Sequence, residues 1–385
     1  MRRVLKLAAV GAAASLALAA CGEAPDDNEG DTPTTQAAGG DTGSETGDST
    51  DEGTAAPGGE VAEDFQACMV SDSGGFDDQS FNQSGKEGLD AAAESLGIDT
   101  TEVESQSDAD YATNVGNLVS QGCNLTIGVG FLLEDAVQEA AEQNTDTNFA
   151  LIDSAFSDAD FAPVELDNAK PILFNTAEAS FLAGYLAAGM SETGTVATFG
   201  GIELPSVAIF MDGFADGVDK YNEDNDGEVQ LLGWDKDAQN GSFSGDFENQ
   251  SQGQTLTEQF IAQGADIIMP VAGPVGRGAA AAAEAAGDVK IIGVDSDWFE
   301  STEYGAITLT SVVKEIGQAV YDTVEQSTTG GFSAEPYVGT LENGGVGLAP
   351  YHDFEGEIPE ELDAEVQAIV EGIIAGEIET GWPVQ

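Results

Sequence analysis

The sequence predicts an α/β chain of two doubly wound lobes, and three observations predict it. Short apolar runs alternate with helix-period segments from Phe65 onward. The alternation breaks near Asp167 to Pro171 and then restarts. The 385 residues, 41% hydrophobic, suffice for about two or three domain cores.

Before the alternation lie two segments of another kind. Residues 1 to 20 carry Arg2, Arg3 and Lys6, then an apolar stretch of about 14 residues, the pattern of a secretion signal. The stretch is shorter than the roughly 20 residues a membrane-spanning helix needs. The run L-A-L-A-A-C resembles the bacterial lipobox, which implies a lipid on Cys21; ordinary cleavage near Ala20, or an uncleaved anchor, is the plainer alternative. Residues 21 to 64 have no Lys, Arg or aromatic between 22 and 64, so they bury too little apolar surface to order themselves and are expected to form an acidic, disordered tether. The expected location is the outer face of a bacterial cell membrane, held there by lipid alone.

The elements then follow in order. F-Q-A-C-M-V reads as a strand, S-G-K-E-G-L-D-A-A-A-E-S-L-G as a helix ended by Gly97, and T-E-V-E-S as a strand. A helix over 111 to 122, the strand L-T-I-G-V-G, a helix over 132 to 143 and the strand F-A-L-I-D complete the first unit. The second unit reads as a helix over 177 to 190, T-V-A-T-F-G-G as strand, a helix over 212 to 222, V-Q-L-L-G-W as strand, a helix over 254 to 263, D-I-I-M-P-V as strand, an Ala-rich helix and K-I-I-G-V-D as strand. Cys68 and Cys123 each open an apolar run, and an even pair in an exported chain favours a disulfide, worth roughly 4 kcal/mol for a loop of about 56 residues. Two buried free thiols are the alternative.

In such sheets ligands bind outside the carboxyl ends of the strands. Those ends, V-S-D-S-G-G-F-D-D, G-V-G-F, L-I-D-S, F-G-G-I, P-V-A-G-P and G-V-D-S-D, repeat aromatics, acids and glycines, so the cleft should offer stacking faces and hydrogen-bond acceptors. The formal net charge of -61 repels nucleic acid and anionic surfaces and disfavours phosphorylated ligands. Past the signal the basic residues are Lys86, Lys170, Lys220, Lys236, Arg277, Lys290 and Lys314.

Other chemistries fit poorly. G-P-V-G-R-G has the wrong spacing for a dinucleotide fingerprint. N-E-D-N-D-G-E begins like a calcium loop, but Gly233 stands where the bidentate Glu belongs, so no metal is expected. No cofactor is implied. With His352 the sole histidine and no nucleophile motif, the chain is expected not to be an enzyme, the acid pairs Asp77 and Asp78 or Asp295 and Asp297 leaving only an acid-pair hydrolase as alternative. Phe76, Phe81, Phe131 and Phe210 near strand ends, with Asp72, Asn82, Asp295 and Lys314, could sandwich a planar base and hold a vicinal diol.

The runs D-S-G-G-F-D-D-Q-S-F-N-Q-S, A-S-F-L-A-G-Y-L-A-A, I-F-M-D-G-F-A-D-G-V, V-A-G-P-V-G-R-G, I-I-G-V-D-S-D and L-T-S-V-V-K resemble the basic membrane protein family, lipoprotein substrate-binding components of ABC transporters, over Phe65 to Gln385. The resemblance implies a type I periplasmic-binding-protein fold: two α/β lobes joined by a three-crossing hinge, here 65–169 plus 296–328 and 170–295 plus 329–385. It implies a monomer that delivers a purine nucleoside to ABC permease subunits. Residue by residue, it places Phe76 and Phe210 on the base, Asp72 and Asn82 in the first strand-end loop, and Gly273, Asp295 and Lys314 on the ribose, with Phe131 and Asp153 added from looser context. Phe81 and Asp78 stay between cleft and core. Trp298 and Pro274 depart from the family pattern and bear on pocket size and base preference. Lys314 is read as beginning a helix, where a cation is disfavoured unless it faces a ligand. A receptor for a sugar or other small metabolite on the same fold is the alternative.

Overall fold

The computed structural model describes residues 61–158 and 162–380, and among them two six-stranded sheets form one compact unit. The signal, Cys21 and the tether up to residue 60 lie outside the described residues. At residue 62 the chain is already tied down, with the Ala62 amide donating to the Thr328 carbonyl.

The first unit runs β1 (Gln66–Ser71), α1 (Phe81–Leu96), β2 (Asp99–Glu104), α2 (Tyr111–Gln121), β3 (Leu125–Val129), α3 (Glu134–Gln143), β4 (Asn148–Ile152) and β5 (Ala169–Phe174). The second runs α4 (Thr176–Met190), β6 (Thr195–Gly200), α5 (Pro205–Asn225), β7 (Gln230–Leu232), the small hairpin β8 (Trp234–Asp235) and β9 (Asn240–Gly241), α6 (Gln250–Ala262), β10 (Ile267–Val271), α7 (Val275–Ala286), β11 (Lys290–Asp295), α8 (Trp298–Ser301) and β12 (Thr308–Lys314). Then come α9 (Ile316–Thr328), β13 (Tyr337–Gly339), β14 (Val346–Leu348) and α10 (Glu360–Ile374).

The sheet orders are β13-β5-β4-β3-β1-β2 and β14-β12-β11-β10-β6-β7, parallel apart from β14. Helices cover both faces, so β3 and β10 are buried at every residue, and β10, I-I-M-P-V, is continuously apolar rather than alternating. Helix α4 is buried almost all round because α5, α10 and the second sheet enclose it. Its backbone approach to α5 is close enough that a Cβ at Gly217 would lie 2.0 Å from the Phe181 carbonyl oxygen. A disulfide joins Cys68 in β1 to Cys123, just before the neighbouring β3, with Cα atoms 5.9 Å apart.

The chain passes between the sheets three times, after β5, after β12 and after β13. The crossings are bonded to one another: the Asn175 amide donates to Gly339 O at 2.8 Å and the Glu315 amide to Gly345 O at 3.0 Å. The Glu178 carboxylate accepts from Asn175 Nδ2 and from the Leu341 amide, both at 2.7 Å.

Two expectations about this division need correction. Residues 308–314 pair with β11 and belong to the second sheet, not to the lobe containing 296–328 as a block, while Tyr337–Gly339 pairs with β5 in the first sheet. The sheet that each joins is chosen by tertiary pairing. The apparent break at 167–171 runs into strand β5 itself, whose Lys170 ammonium is buried against the Glu335 carbonyl at 2.8 Å. A third correction concerns Lys314, which closes β12 instead of opening a helix, so the helix dipole is not what sets its cost.

Candidate ligand-binding cleft

Between the two sheets the strand ends converge on a cleft with about 560 Å³ of empty space, the open solvent at its mouth included. It is lined by Asp72, Asn82, Phe131, Asp153, Phe210, Gly273, Asp295 and Lys314, eight of the nine residues singled out in the sequence. The ninth, Phe76, is corrected. Its ring is 7% exposed, its amide donates to Glu104 Oε1 at 3.0 Å, and it borders a separate surface hollow beside Lys86 and Glu102. Phe81 occupies the cleft instead.

The local turn explains the exchange. The Asp78 carboxylate accepts the amides of Ser80 at 2.9 Å, Asn82 at 2.9 Å and Gln83 at 3.0 Å, which starts α1 at Phe81 and carries that ring inward. Capping therefore falls to Asp78 and not to Ser80, which caps nothing with its side chain, or Ser84, whose hydroxyl donates back to Ser80 O.

At the centre stands Lys314, 4% exposed, its ammonium 2.6 Å from Asp153 Oδ2 and 3.1 Å from Asp295 Oδ1. The same nitrogen lies 4.4 Å from the centroid of Phe81 and 5.4 Å from that of Phe210. Burial works against the charged ammonium, but the two carboxylates outweigh it and hold the Lys314 pKa above its ordinary value. An ammonium has three N–H groups, and the two carboxylates account for two of them, leaving one to turn towards the cleft. Asp153 and Asp295 both stand in the left-handed backbone region, φ 66° and 69°, a conformation that Asp tolerates better than most residues. Strain of this kind concentrates where a strand end must turn a side chain onto a ligand.

Asp72 is buried too, pressed against Gly130. With φ 112° and room for no side chain, since a Cβ would fall 1.9 Å from Asp72 Oδ2, Gly130 is what lets the carboxylate occupy that place. Burial pushes the Asp72 pKa well above the carboxylate range; a hydrogen bond from Asn82 opposes this, and Asp78 and Asp153 reinforce it. Asn82 is fixed by its Nδ2 donating to Ser73 O at 3.0 Å, and its buried Oδ1 has no partner among the described residues. The sequence missed Phe247, Leu204, Ser206 and Val207 as lining residues; they come from the first turn of α5 with its cap and from the loop before α6, which carry no strand-end signal. Trp298 does not line the cleft. Its indole is 1% exposed and donates to Val294 O at 3.0 Å, so the departure at this position fills core. Pro274 does line it.

A family model described as "ABC transporter substrate-binding protein PnrA-like" matches residues 65–380. The chain belongs to this Bmp family. Among curated relatives of this Bmp chain, the "ABC transporter nucleoside-binding protein BmpA" of Lactococcus lactis is 30% identical, over 75% of this chain and 83% of that one. The "Basic membrane protein A1" of Borrelia garinii is 30% identical over 79% and 85%. In fold, the Bmp chain superposes on an ABC transporter solute-binding protein of Aeropyrum pernix K1 with a TM-score of 0.74 at 24% identity, covering 83% of this chain and 94% of that one. The protein is thus an ABC-transporter substrate-binding protein with a type I periplasmic-binding-protein fold. Among the described residues no helix is long and apolar enough to cross a membrane, and no group of His, Cys, Asp and Glu forms a metal site.

Proposed function

We propose that the cleft binds a nucleoside and that the protein hands it to an ABC permease while lipid on Cys21 holds it at the membrane. The observation that carries the reading is the pairing of Lys314, Asp153 and Asp295 beside the rings of Phe81 and Phe210. The rings offer faces for a planar base. The two carboxylates supply acceptors for the vicinal hydroxyls of a ribose, and the third ammonium N–H supplies a donor. Asp72 and Asn82 also line the cleft, where they can meet the polar edge of a base. The lining contains no Arg, and its one cation is already held by two carboxylates, which disfavours a phosphate. The acids serve here as ligand acceptors in a receptor, not as catalytic groups.

Isothermal titration of the purified chain against nucleosides, free bases and sugars tests this. A nucleoside should bind more tightly than its base or ribose alone, and Asp295→Ala should weaken ribosides far more than free bases. No nucleoside binding below roughly millimolar, about 4 kcal/mol, would sink the reading.

A further inference from the structure

The start of α1 carries a hydroxyl that serves neither the helix nor the cleft. Ser80 precedes the first residue of α1, yet its side chain makes no capping bond, because Asp78 already takes the amides of Ser80, Asn82 and Gln83. It is 3% exposed and does not line the cleft. Its Oγ instead reaches across to the second sheet, 3.1 Å from Asp295 Oδ2 and 3.4 Å from Val294 O at the end of β11. A hydroxyl has one hydrogen, and the carboxylate is both the nearer and the stronger acceptor.

Asp295 is thereby held from two sides. Oδ1 faces Lys314, within its own lobe, and Oδ2 faces Ser80, from the opposite lobe. The neighbouring residues repeat the crossing, with Ser296 Oγ donating to Gln79 O at 3.4 Å. On another side of the mouth, Ser73 Oγ donates to Glu248 Oε1 at 3.2 Å, an exposed contact open to competition from water. Two buried contacts cross here, Lys314 Nζ to Asp153 Oδ2 at 2.6 Å and Ser80 Oγ to Asp295 Oδ2 at 3.1 Å, and only the second ends on Asp295.

We infer that Ser80 is a positioning residue that latches the closed lobes through Asp295, so that closure and the aiming of a ligand-facing carboxylate become one event. With the lobes apart, Ser80 is out of reach and the carboxylate keeps only Lys314. With them together, Asp295 is fixed, and a ligand bound to it is released only when the latch breaks. The device therefore acts on the rate of release more than on the rate of capture.

Because the ligand arm rests on the nucleoside reading, two measurements are made on the full-length chain. The first is stopped-flow binding of guanosine. Ser80→Ala should raise koff roughly tenfold, the loss of one hydrogen bond to a charged acceptor, with kon nearly unchanged. Ser80→Thr, which keeps the hydroxyl, should restore wild-type release. The second is small-angle X-ray scattering without ligand, in which Ser80→Ala should enlarge the radius of gyration because fewer molecules hold the latch. Unchanged koff in Ser80→Ala overturns the inference, as does a fall in melting temperature with no change in koff. If the wild-type chain binds no guanosine, the first measurement uses whichever nucleoside titrates most tightly; if none binds, the nucleoside reading is what fails, and scattering decides: an unchanged radius overturns the latch and an enlarged one supports it.

Discussion

A single carboxyl group, Asp72, shows how much of this site is set by environment rather than identity. Its position after β1 was legible, because a strand-end loop rich in acid and glycine announces itself in V-S-D-S-G-G. Its protonation was not, since that depends on Gly130, Asp78 and Asp153, which arrive from elsewhere in the chain or through the fold of the turn. With its folded pKa raised above the unfolded value, the native state binds a proton that the unfolded chain releases. Stability is therefore highest below the ordinary carboxylate pKa and falls as pH rises from there to the raised folded value. Asp72→Asn removes the ionisable group while keeping its shape and its contact with Asn82. Urea unfolding from pH 4 to 8 should show the variant gaining on the wild type as pH rises, by about 1.4 kcal/mol for each pKa unit of elevation. Parallel profiles for the two proteins would refute the assignment.

Individual elements divide into those that local pattern specifies and those that it does not. Strands β1, β3, β4, β6, β10 and β11 were readable as apolar runs bounded by turn residues, since burial on both faces leaves a continuous signature. Which sheet β12 and β13 join was unreadable, because a strand such as T-L-T-S-V-V-K fits any parallel neighbour and only tertiary pairing decides. The turn between β1 and α1 is a finer case: Phe76 and Phe81 are equivalent in composition, and the choice between them depends on where the helix begins. A signal was present, since Asp78 lies three residues before Phe81 and can take the first free amides. The consequence is measurable. Phe81→Ala should weaken nucleoside binding by about 1–3 kcal/mol while leaving folding nearly intact. Phe76→Ala should cost about 3–5 kcal/mol of stability with little change in affinity, because it empties buried space outside the cleft. Titration calorimetry and urea unfolding on both variants separate the two, and the reverse pattern would return Phe76 to the cleft.

Across the whole molecule the acidity has a structural counterpart in the use of every cation after the signal. Lys86, Lys220, Lys236 and Arg277 pair with acids on the surface. Lys170 holds backbone carbonyls and Lys290 lies over Phe354, while Lys314 is committed to the cleft. The formal net charge is -61, so the folded chain concentrates like charges that the expanded chain spreads apart, and self-repulsion opposes folding. Dissolved ions shorten the reach of that repulsion, from a Debye length of about 10 Å at 0.1 M to about 3 Å at 1 M. The exposed ion pairs are screened as well, but each is worth little, at most about 1 kcal/mol. The buried Lys314 cluster is screened far less. The balance predicts a melting temperature that rises with salt by about 2 °C or more between 0.1 and 1 M. Sodium and potassium chloride should act alike if screening is the cause, since the two share an ionic strength at equal concentration. Differential scanning calorimetry in both salts checks this, and a melting temperature that falls, or that rises in one salt alone, would show that self-repulsion does not limit the fold.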